Sequence, residues 1–290
     1  MKRIWRWLAC FALLSGALPA HAEPLKVVAS FSILADLVKN VGGDKVSVTT
    51  LVGPDSDAHV YSPTPADAKK IADAKLIFVN GLGFEGWLPR LVQSSASKAA
   101  VVTVSEGIAP LRLGREADPH AWQSVAYAKV YVGNIARALI AADPAAAEPI
   151  SANTQAYIEK LDALDREVRD AVTKLPPERR KVISTHTAFG YFAASYGIEF
   201  VAPIGVSTES EPSARDIARI ITQVKQAKIP AVFLENISDP RLIRRIAAET
   251  GARVGGTLYS DGLTGEKGDA PTYIDMVRHN IKTLARALGN

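Results

Sequence analysis

The histidines of this 290-residue chain are few, and most lie in unusual surroundings. Four follow residue 22, namely His59, His120, His186 and His279. The first three stand in the segments GPDSDAHVY, DPHAW and STHTAF, at predicted turns between strands and helices. A single loop histidine is usually only solvated, but three beyond the carboxyl ends of strands, where α/β proteins bind ligands, predict a metal site. His279 falls within a helical pattern, four residues after Asp275, and is interpreted as a solvated or capping residue.

A closed four-coordinate site needs a fourth donor, and Asp261 is the best-placed candidate. It lies in the segment YSDG, beyond the last predicted strand. Imidazole nitrogens with one carboxylate oxygen form a donor set that suits Zn²⁺. Consecutive candidates are 61 to 75 residues apart in the chain, which excludes a local zinc finger. The site must therefore be assembled by tertiary structure, with two donors from each half of the chain.

The elements that would position these donors alternate between strand and helix. Short β-type runs occur at 25–31, 46–51, 76–79 and 101–103, and again at 181–184, 199–201, 231–235 and 253–255. Helical patterns lie between them, at 32–41, from Pro65 onward with Thr64 as N-cap, and at 188–196, 213–227, 240–250 and 273–288. Strands separated by helices predict parallel sheets with helices on their faces, and hence an α/β fold.

One long helix is predicted between the two halves. The segment 153–174 contains no Gly or Pro, and its apolar residues recur at steps of three and four, as in an amphipathic helix. The predicted organisation is an N-terminal α/β lobe over 23–152, a linking helix over 153–175 and a C-terminal α/β lobe over 176–290.

The first 22 residues have the features of a secretory signal peptide. Three basic residues precede an apolar run over 8–18 and the triplet AHA, which predicts cleavage before Glu23 and a periplasmic protein. The only cysteine, Cys10, lies too early in this segment to carry a lipid anchor. Removing the three basic residues of the segment lowers the net charge from +4 to +1, so the charge does not indicate nucleic acid or a membrane surface as partner.

Several longer segments resemble one protein family. In chain order they are GPDSDAHVYSPTPADAKKIADAKLIFVNGLGFEGW, DPHAW, STHTAFGYFAASYGIEF, GVSTESEPS and YSDGL. Together they resemble the zinc/manganese solute-binding proteins of ABC importers, the ZnuA/TroA type. The resemblance implies two Rossmann-like lobes bridged by one rigid helix, with a metal bound in the cleft between the lobes. It places the metal ligands on His59, His120, His186 and Asp261, and it implies an inner-membrane ABC permease as partner.

The resemblance also bears on the metal. The third ligand position is His in zinc-type members and Glu in many manganese-type members, and here it is His186. Imidazole favours later metals such as zinc over manganese. The segment 109–118 is short and lacks the histidines that zinc-specific members often carry there. Zn²⁺ is therefore the expected ligand, with Mn²⁺ or both metals as the alternative. We expect a monomer, and whether a metallochaperone loads the site stays open.

Four acidic residues near the candidate ligands have two interpretations each. Asp57 and Asp118 precede a histidine by two residues, so each carboxylate either fixes the imidazole tautomer or only closes a turn. Glu209 and Glu211 would lie near the cleft or on a lobe tip that faces the permease.

Two other classes of protein are weighed against a binding protein without turnover. A zinc hydrolase would use three histidines and a catalytic carboxylate, but the chain contains neither HExxH nor a nucleophile elbow in the right context. A siderophore-binding protein would need basic and aromatic residues at the cleft in place of a His/Asp set. Four protein ligands would close the coordination shell and leave no place for an activated water, which favours binding and delivery.

Overall fold

The computed structural model describes residues 23–289. The predicted signal peptide over 1–22 lies outside the described residues. Within the described range, no helix is both long enough and apolar enough to cross a membrane.

The first lobe is built on a four-stranded parallel sheet. Its strands are β1 (Leu25–Phe31), β2 (Val46–Val52), β3 (Leu76–Val79) and β4 (Ala100–Thr103). Its helices are α1 (Ser32–Gly42), α2 (Pro65–Ala72) and α3 (Leu88–Ser94). The order across the sheet is β2-β1-β3-β4, with β1 and β3 in the buried centre. The N-terminus of α2 has the predicted cap, because Thr64 and Asp67 form a reciprocal capping box, with Pro65 between them as the first helical residue.

The chain then leaves the sheet for a hairpin and two long helices. These are β5 (Arg112–Leu113), β6 (Glu116–Ala117), α4 (Val125–Ala142) and α5 (Ala147–Thr173). Sequence patterns did not predict the hairpin, α3 or α4. The two hairpin strands have only two residues each and are mostly exposed, so they carry no alternating pattern that could reveal them.

The second lobe repeats the strand order of the first. Its strands are β7 (Lys181–Ile183), β8 (Glu199–Val201), β9 (Ala231–Glu235) and β10 (Arg253–Leu258). Its helices are α6 (Gly190–Tyr196), α7 (Ala214–Gln226), α8 (Arg241–Thr250) and α9 (Tyr273–Leu288). All pairs are parallel and the order is β8-β7-β9-β10. In both lobes the order therefore reverses beside the first strand, and α/β proteins bind ligands at such switch points.

The helix α5 is the predicted bridge between the lobes. It has 27 residues and buries one face, which includes Tyr157, Leu161 and Val168. It begins at Ala147, six residues before the predicted start of the helix. The helix includes Pro149, because a proline in the first helical turn removes an N–H that has no partner there anyway.

The two lobes are joined by direct packing as well as by the helix α5. One continuous apolar cluster includes Phe31 and Trp122 from the first part of the chain, Leu161 from α5, and Phe233 and Tyr273 from the second lobe. Tyr273 at the start of α9 also donates its backbone N–H to the carboxylate of Asp36 in α1, at 2.9 Å. Because their core is shared, the lobes meet over a buried interface rather than across open solvent.

Candidate metal centre

The four predicted donors meet at one point between the lobes. His59, His120, His186 and Asp261 each present a donor atom, and these atoms all lie within 4.8 Å of one another. His59 is 5 % exposed, and the other three are completely buried. A single side chain from each of four distant segments thus converges on one small volume.

Each donor lies near an element of secondary structure in the chain. His59 lies in the loop after β2, and His120 precedes the short 3-10 turn that leads into α4. His186 follows β7 and continues its pairing through an isolated bridge to Ile204. Asp261 follows β10. His59, His186 and Asp261 therefore stand beyond the carboxyl end of a parallel strand. The same prediction for His120 is wrong, because the strand before it, β6, belongs to the antiparallel hairpin.

The distances from the His120 imidazole to the other two imidazoles match a tetrahedral ion. Nε2 of His120 lies 3.2 Å from Nε2 of His59 and 3.3 Å from Nε2 of His186. A tetrahedron with Zn–N bonds of about 2.0–2.1 Å has edges of about 3.3–3.4 Å. His120 can therefore share one ion with either of the other imidazoles at these distances, and all four donor atoms lie within 4.8 Å of one another.

Asp261 completes the set with a carboxylate that has no hydrogen-bond donor. Neither of its oxygens accepts a hydrogen bond from residues 23–289. Oδ2 lies 3.1 Å from Nε2 of His186 and 3.4 Å from Nε2 of His59, and Oδ1 lies 3.6 Å from Nε2 of His120. Burial raises the pKa of Asp261, but the charges of His186 and His120 outweigh it and lower the pKa well below its usual value. A buried, ionised carboxylate is costly unless a positive charge compensates it, either on these imidazoles or on a bound cation.

Asp118 holds the imidazole of His120. Its Oδ1 lies 2.8 Å from Nδ1 of the ring and also accepts the backbone N–H of His120, at 3.0 Å. Both interpretations of Asp118 therefore apply, because one carboxylate closes the turn and orients the ring. Burial lowers the pKa of His120, but the charges of Asp261 and Asp118 outweigh it and raise the pKa above its ordinary value.

A glycine leaves room for that carboxylate. A Cβ at Gly190, the first residue of α6, would lie 2.4 Å from Oδ2 of Asp118. Tyr191, the next residue, donates its hydroxyl to the backbone carbonyl of Asp118 at 2.9 Å. The second lobe thus fixes the position of a residue that orients a donor from the other side of the cleft.

Glu235 holds His186 in the same way, and sequence reasoning missed it. Its Oε2 lies 2.5 Å from Nδ1 of His186, and both residues are buried. Burial lowers the pKa of His186, but the charges of Glu235 and Asp261 outweigh it and raise the pKa well above its ordinary value. The available signal was a carboxylate at the carboxyl end of the otherwise apolar strand AVFLE, at the same sheet edge as His186.

Asp57 does not orient a ring. Its Oδ1 accepts the backbone N–H of His59 at 2.8 Å, and its Oδ2 accepts the hydroxyl of Thr208 at 2.6 Å. The turn interpretation is therefore the right one for Asp57. Glu209 and Glu211 are exposed and lie outside the cluster of donors.

His279 also lies outside the cluster. Its Nε2 is 3.1 Å from the backbone carbonyl of Thr257, and its ring packs edge-on against Tyr259. The interpretation as a solvated or capping residue needs correction, because the ring is partly buried and contacts β10 rather than a helix end.

Buried residues pack against the inner side of the site. The indole N–H of Trp122 and the amide of Gln123 both donate to the carbonyl of Ser260, at 2.9 and 2.6 Å. They fix the residue just before Asp261. The ring of Trp122 also lies 5.2 Å from that of His120. On this side, the donors are therefore held by buried contacts between residues of the two lobes.

Two like-ordered parallel sheets, one long bridging helix and a buried His₃Asp cluster between the lobes define a metal-binding solute-binding protein of the ABC-importer type. Residues 27–287 match the family model described as zinc-uptake complex component A, periplasmic. The chain belongs to this family, and it is a metal-binding component of an ABC importer.

Similar proteins carry the names of different metals. The iron-binding protein YfeA of Yersinia pestis is 37 % identical over 92 % of this chain and 88 % of that protein. The manganese-binding lipoprotein MntA of Halalkalibacterium halodurans is also 37 % identical, over 92 % of this chain and 89 % of that protein. The solved periplasmic zinc-binding protein TroA of Treponema pallidum superposes with a TM-score of 0.88 at 34 % identity, over 92 % of this chain and 100 % of that one.

Proposed function

We propose that this protein captures Zn²⁺ with His59, His120, His186 and Asp261 and delivers it to an inner-membrane ABC permease. The observation that carries the proposal is the buried carboxylate of Asp261, whose oxygens lie within 4.8 Å of three imidazole nitrogens and accept no hydrogen bond from residues 23–289. Four protein donors close the shell around the ion. The ion is therefore cargo that is held and released, without turnover.

The choice of zinc depends on the third imidazole. His186 supplies a nitrogen where a carboxylate would favour a harder ion, and Glu235 keeps that nitrogen oriented toward the site. Mn²⁺ is the second candidate, because MntA is named for manganese and both oxygens of Asp261 face the imidazoles. A carboxylate that binds through both oxygens would add a fifth donor for a metal with more ligands.

The proposed place of action is the periplasm, after cleavage before Glu23. Glu23 and Pro24 are exposed, and β1 begins at the next residue, so cleavage there would leave the first strand whole. We expect the mature protein to be a monomer. Whether a metallochaperone loads it can be tested by comparing loading from free Zn²⁺ with loading in periplasmic extract.

The first experiment measures the metal content of protein purified from the periplasm without chelators. We expect one zinc per chain and little manganese. Competitive titration of Zn²⁺ against Mn²⁺ should show tighter zinc binding by the wild type, and a shift toward manganese in His186→Glu. His279→Gln, which alters a histidine outside the cluster, is the matched control. A wild-type protein that holds Mn²⁺ more tightly than Zn²⁺ would contradict the zinc assignment.

A hydrolase assay separates binding from catalysis. The zinc-loaded protein should show no turnover of ester or phosphate substrates above the protein-free rate. Turnover that Asp261→Ala abolishes while zinc is retained would contradict delivery without catalysis.

A further inference from the structure

The loop after β2 is hydrogen-bonded to the second lobe at both Asp55 and Asp57. The backbone N–H of Asp55 donates to the carbonyl of Leu263 at 2.8 Å, and its carboxylate accepts the amide of Asn236 at 3.1 Å. Oδ2 of Asp57 accepts the hydroxyl of Thr208 at 2.6 Å. Asp57 lies in the loop after β2 in the first lobe, and Thr208 lies in the loop after β8 in the second. The other oxygen of Asp57 accepts the backbone N–H of His59. One side chain therefore connects a donor of the site to the opposite lobe.

His59 is held differently from the other two imidazoles. Nδ1 of His120 and Nδ1 of His186 each face a buried carboxylate. Among the hydrogen bonds of residues 23–289, none involves Nδ1 of His59, whose ring packs edge-on against Phe84 at 4.7 Å. The position of His59 thus depends most on its backbone, which Asp57 fixes.

The hydrogen bond between Asp57 and Thr208 faces solvent rather than the protein core. Asp57 and Thr208 both line a cavity of about 210 Å³, together with Thr185 and Glu211. Val60, next to His59, is 50 % exposed. Water can therefore reach both partners when the bond breaks, so opening here leaves no buried polar group unsatisfied. On the inner side of the site Trp122 is buried, so water cannot replace a hydrogen bond that breaks there.

We infer that the Asp57–Thr208 hydrogen bond is a latch that sets the rate of metal release, with His59 as the first donor to leave. This inference rests on the proposed function. When the Thr208 hydroxyl leaves Asp57, the carboxylate that holds the backbone N–H of His59 loses its bond to the second lobe, and His59 can move from the ion. Asp55 and Ala58 keep their hydrogen bonds to Leu263 and Trp87, so the movement is confined to the residues around His59. His120, His186 and Asp261 keep their positions, because buried hydrogen bonds hold each of them or its neighbour. The ion then has three protein donors and an open position toward solvent or a permease.

The latch is tested by the rate at which the zinc-loaded full protein loses Zn²⁺ to an excess of chelator, followed by stopped flow. Thr208→Val replaces the hydroxyl with a methyl group, at a residue that is not one of the four donors. We expect it to release Zn²⁺ about tenfold faster, because a hydrogen bond to a charged group is lost and water replaces only part of it. Thr208→Ser should restore the slow rate. Thr222→Val, the same change on an exposed face of α7, should leave it unchanged.

A double-mutant cycle then tests the role of His59. If the latch acts through His59, Thr208→Val should not accelerate release further in His59→Ala, and the two effects will not add. Equal acceleration in both backgrounds, or a wild-type rate in Thr208→Val, would overturn the latch. The proposed function fails separately, if the wild-type protein retains no Zn²⁺ at all.

Discussion

Nδ1 of His186 lies 2.5 Å from Oε2 of Glu235, and the other oxygen of the same carboxylate accepts the backbone N–H groups of Thr185 and His186. Glu235 ends β9, and His186 follows β7, the neighbouring strand. The carboxylate therefore fixes both the backbone and the ring of one proposed donor. A hydrogen bond from Nδ1–H to Glu235 leaves Nε2 without a proton and directed at the site.

Glu235→Gln should weaken zinc binding by about 10- to 100-fold. The amide nitrogen of Gln would donate to Nδ1 and move the imidazole proton to Nε2, where it blocks coordination. The affinity can be measured by competition with a chromophoric zinc chelator. Glu199→Gln, at an exposed residue of β8, is the control. Unchanged affinity in Glu235→Gln would show that the tautomer of His186 does not depend on this carboxylate.

Gly190→Ala should weaken zinc binding about tenfold through Asp118, by displacing a residue that orients a ligand. The new methyl group would lie 2.4 Å from Oδ2 of Asp118, which cannot move without releasing the imidazole of His120. The same titration measures the effect. Gly133→Ala adds a methyl group where no atom lies within 4 Å, so it should bind zinc as the wild type does. Equal affinities in the two variants would contradict this account.

Zinc binding should weaken as the pH falls, beginning above pH 6.5. Imidazoles must lose their protons to coordinate, and the pKa values of His120 and His186 are raised above the ordinary 6.5 in the metal-free site. Protons therefore compete at a higher pH than they would for isolated histidines. Dissociation constants measured from pH 5.5 to 8.5 should rise steadily toward acid. A constant affinity down to pH 6.5 would contradict the raised pKa values.

Asp36→Asn should stabilise the metal-free protein near pH 7.5 and change little near pH 4. Burial raises the pKa of Asp36 from 3.8 to about 6, although the N–H of Tyr273 and the charge of Lys39 lower it. The folded state holds the proton of Asp36 more tightly than the unfolded chain does. The protonated carboxyl therefore contributes its full stability below pH 3.8, and this contribution is lost as the pH rises through 6. Asn removes that loss, so we expect a gain of about 1–2 kcal/mol in the free energy of unfolding at pH 7.5.

Urea denaturation at the two pH values measures this difference. Asp44→Asn, at an exposed residue of the same lobe, is the matched control. A gain that is equal at both pH values would mean that the carboxylate of Asp36 does not titrate between them.

The sequence by itself determined the donor types, the alternation of strands and helices, and the bridging helix. Rare histidines in turn-rich segments cannot be mistaken for core, and β1, β3, β8 and β9 have the predicted bounds because apolar runs between turns mark buried strands. The predicted start of α5 was wrong: the helix begins six residues earlier, at Ala147, and its first turn accommodates Pro149.

Only the tertiary structure decided what surrounds the donors. Glu235 is 49 residues from His186 in the chain, and Thr208 is 151 residues from Asp57, so no local pattern links the members of either pair. Asp57 and Asp118 occupy the same position relative to a histidine, yet only Asp118 orients a ring, because Gly190 leaves space for its carboxylate. Sequence names the atoms that can bind a metal, while the fold fixes their tautomers and the routes by which they can move.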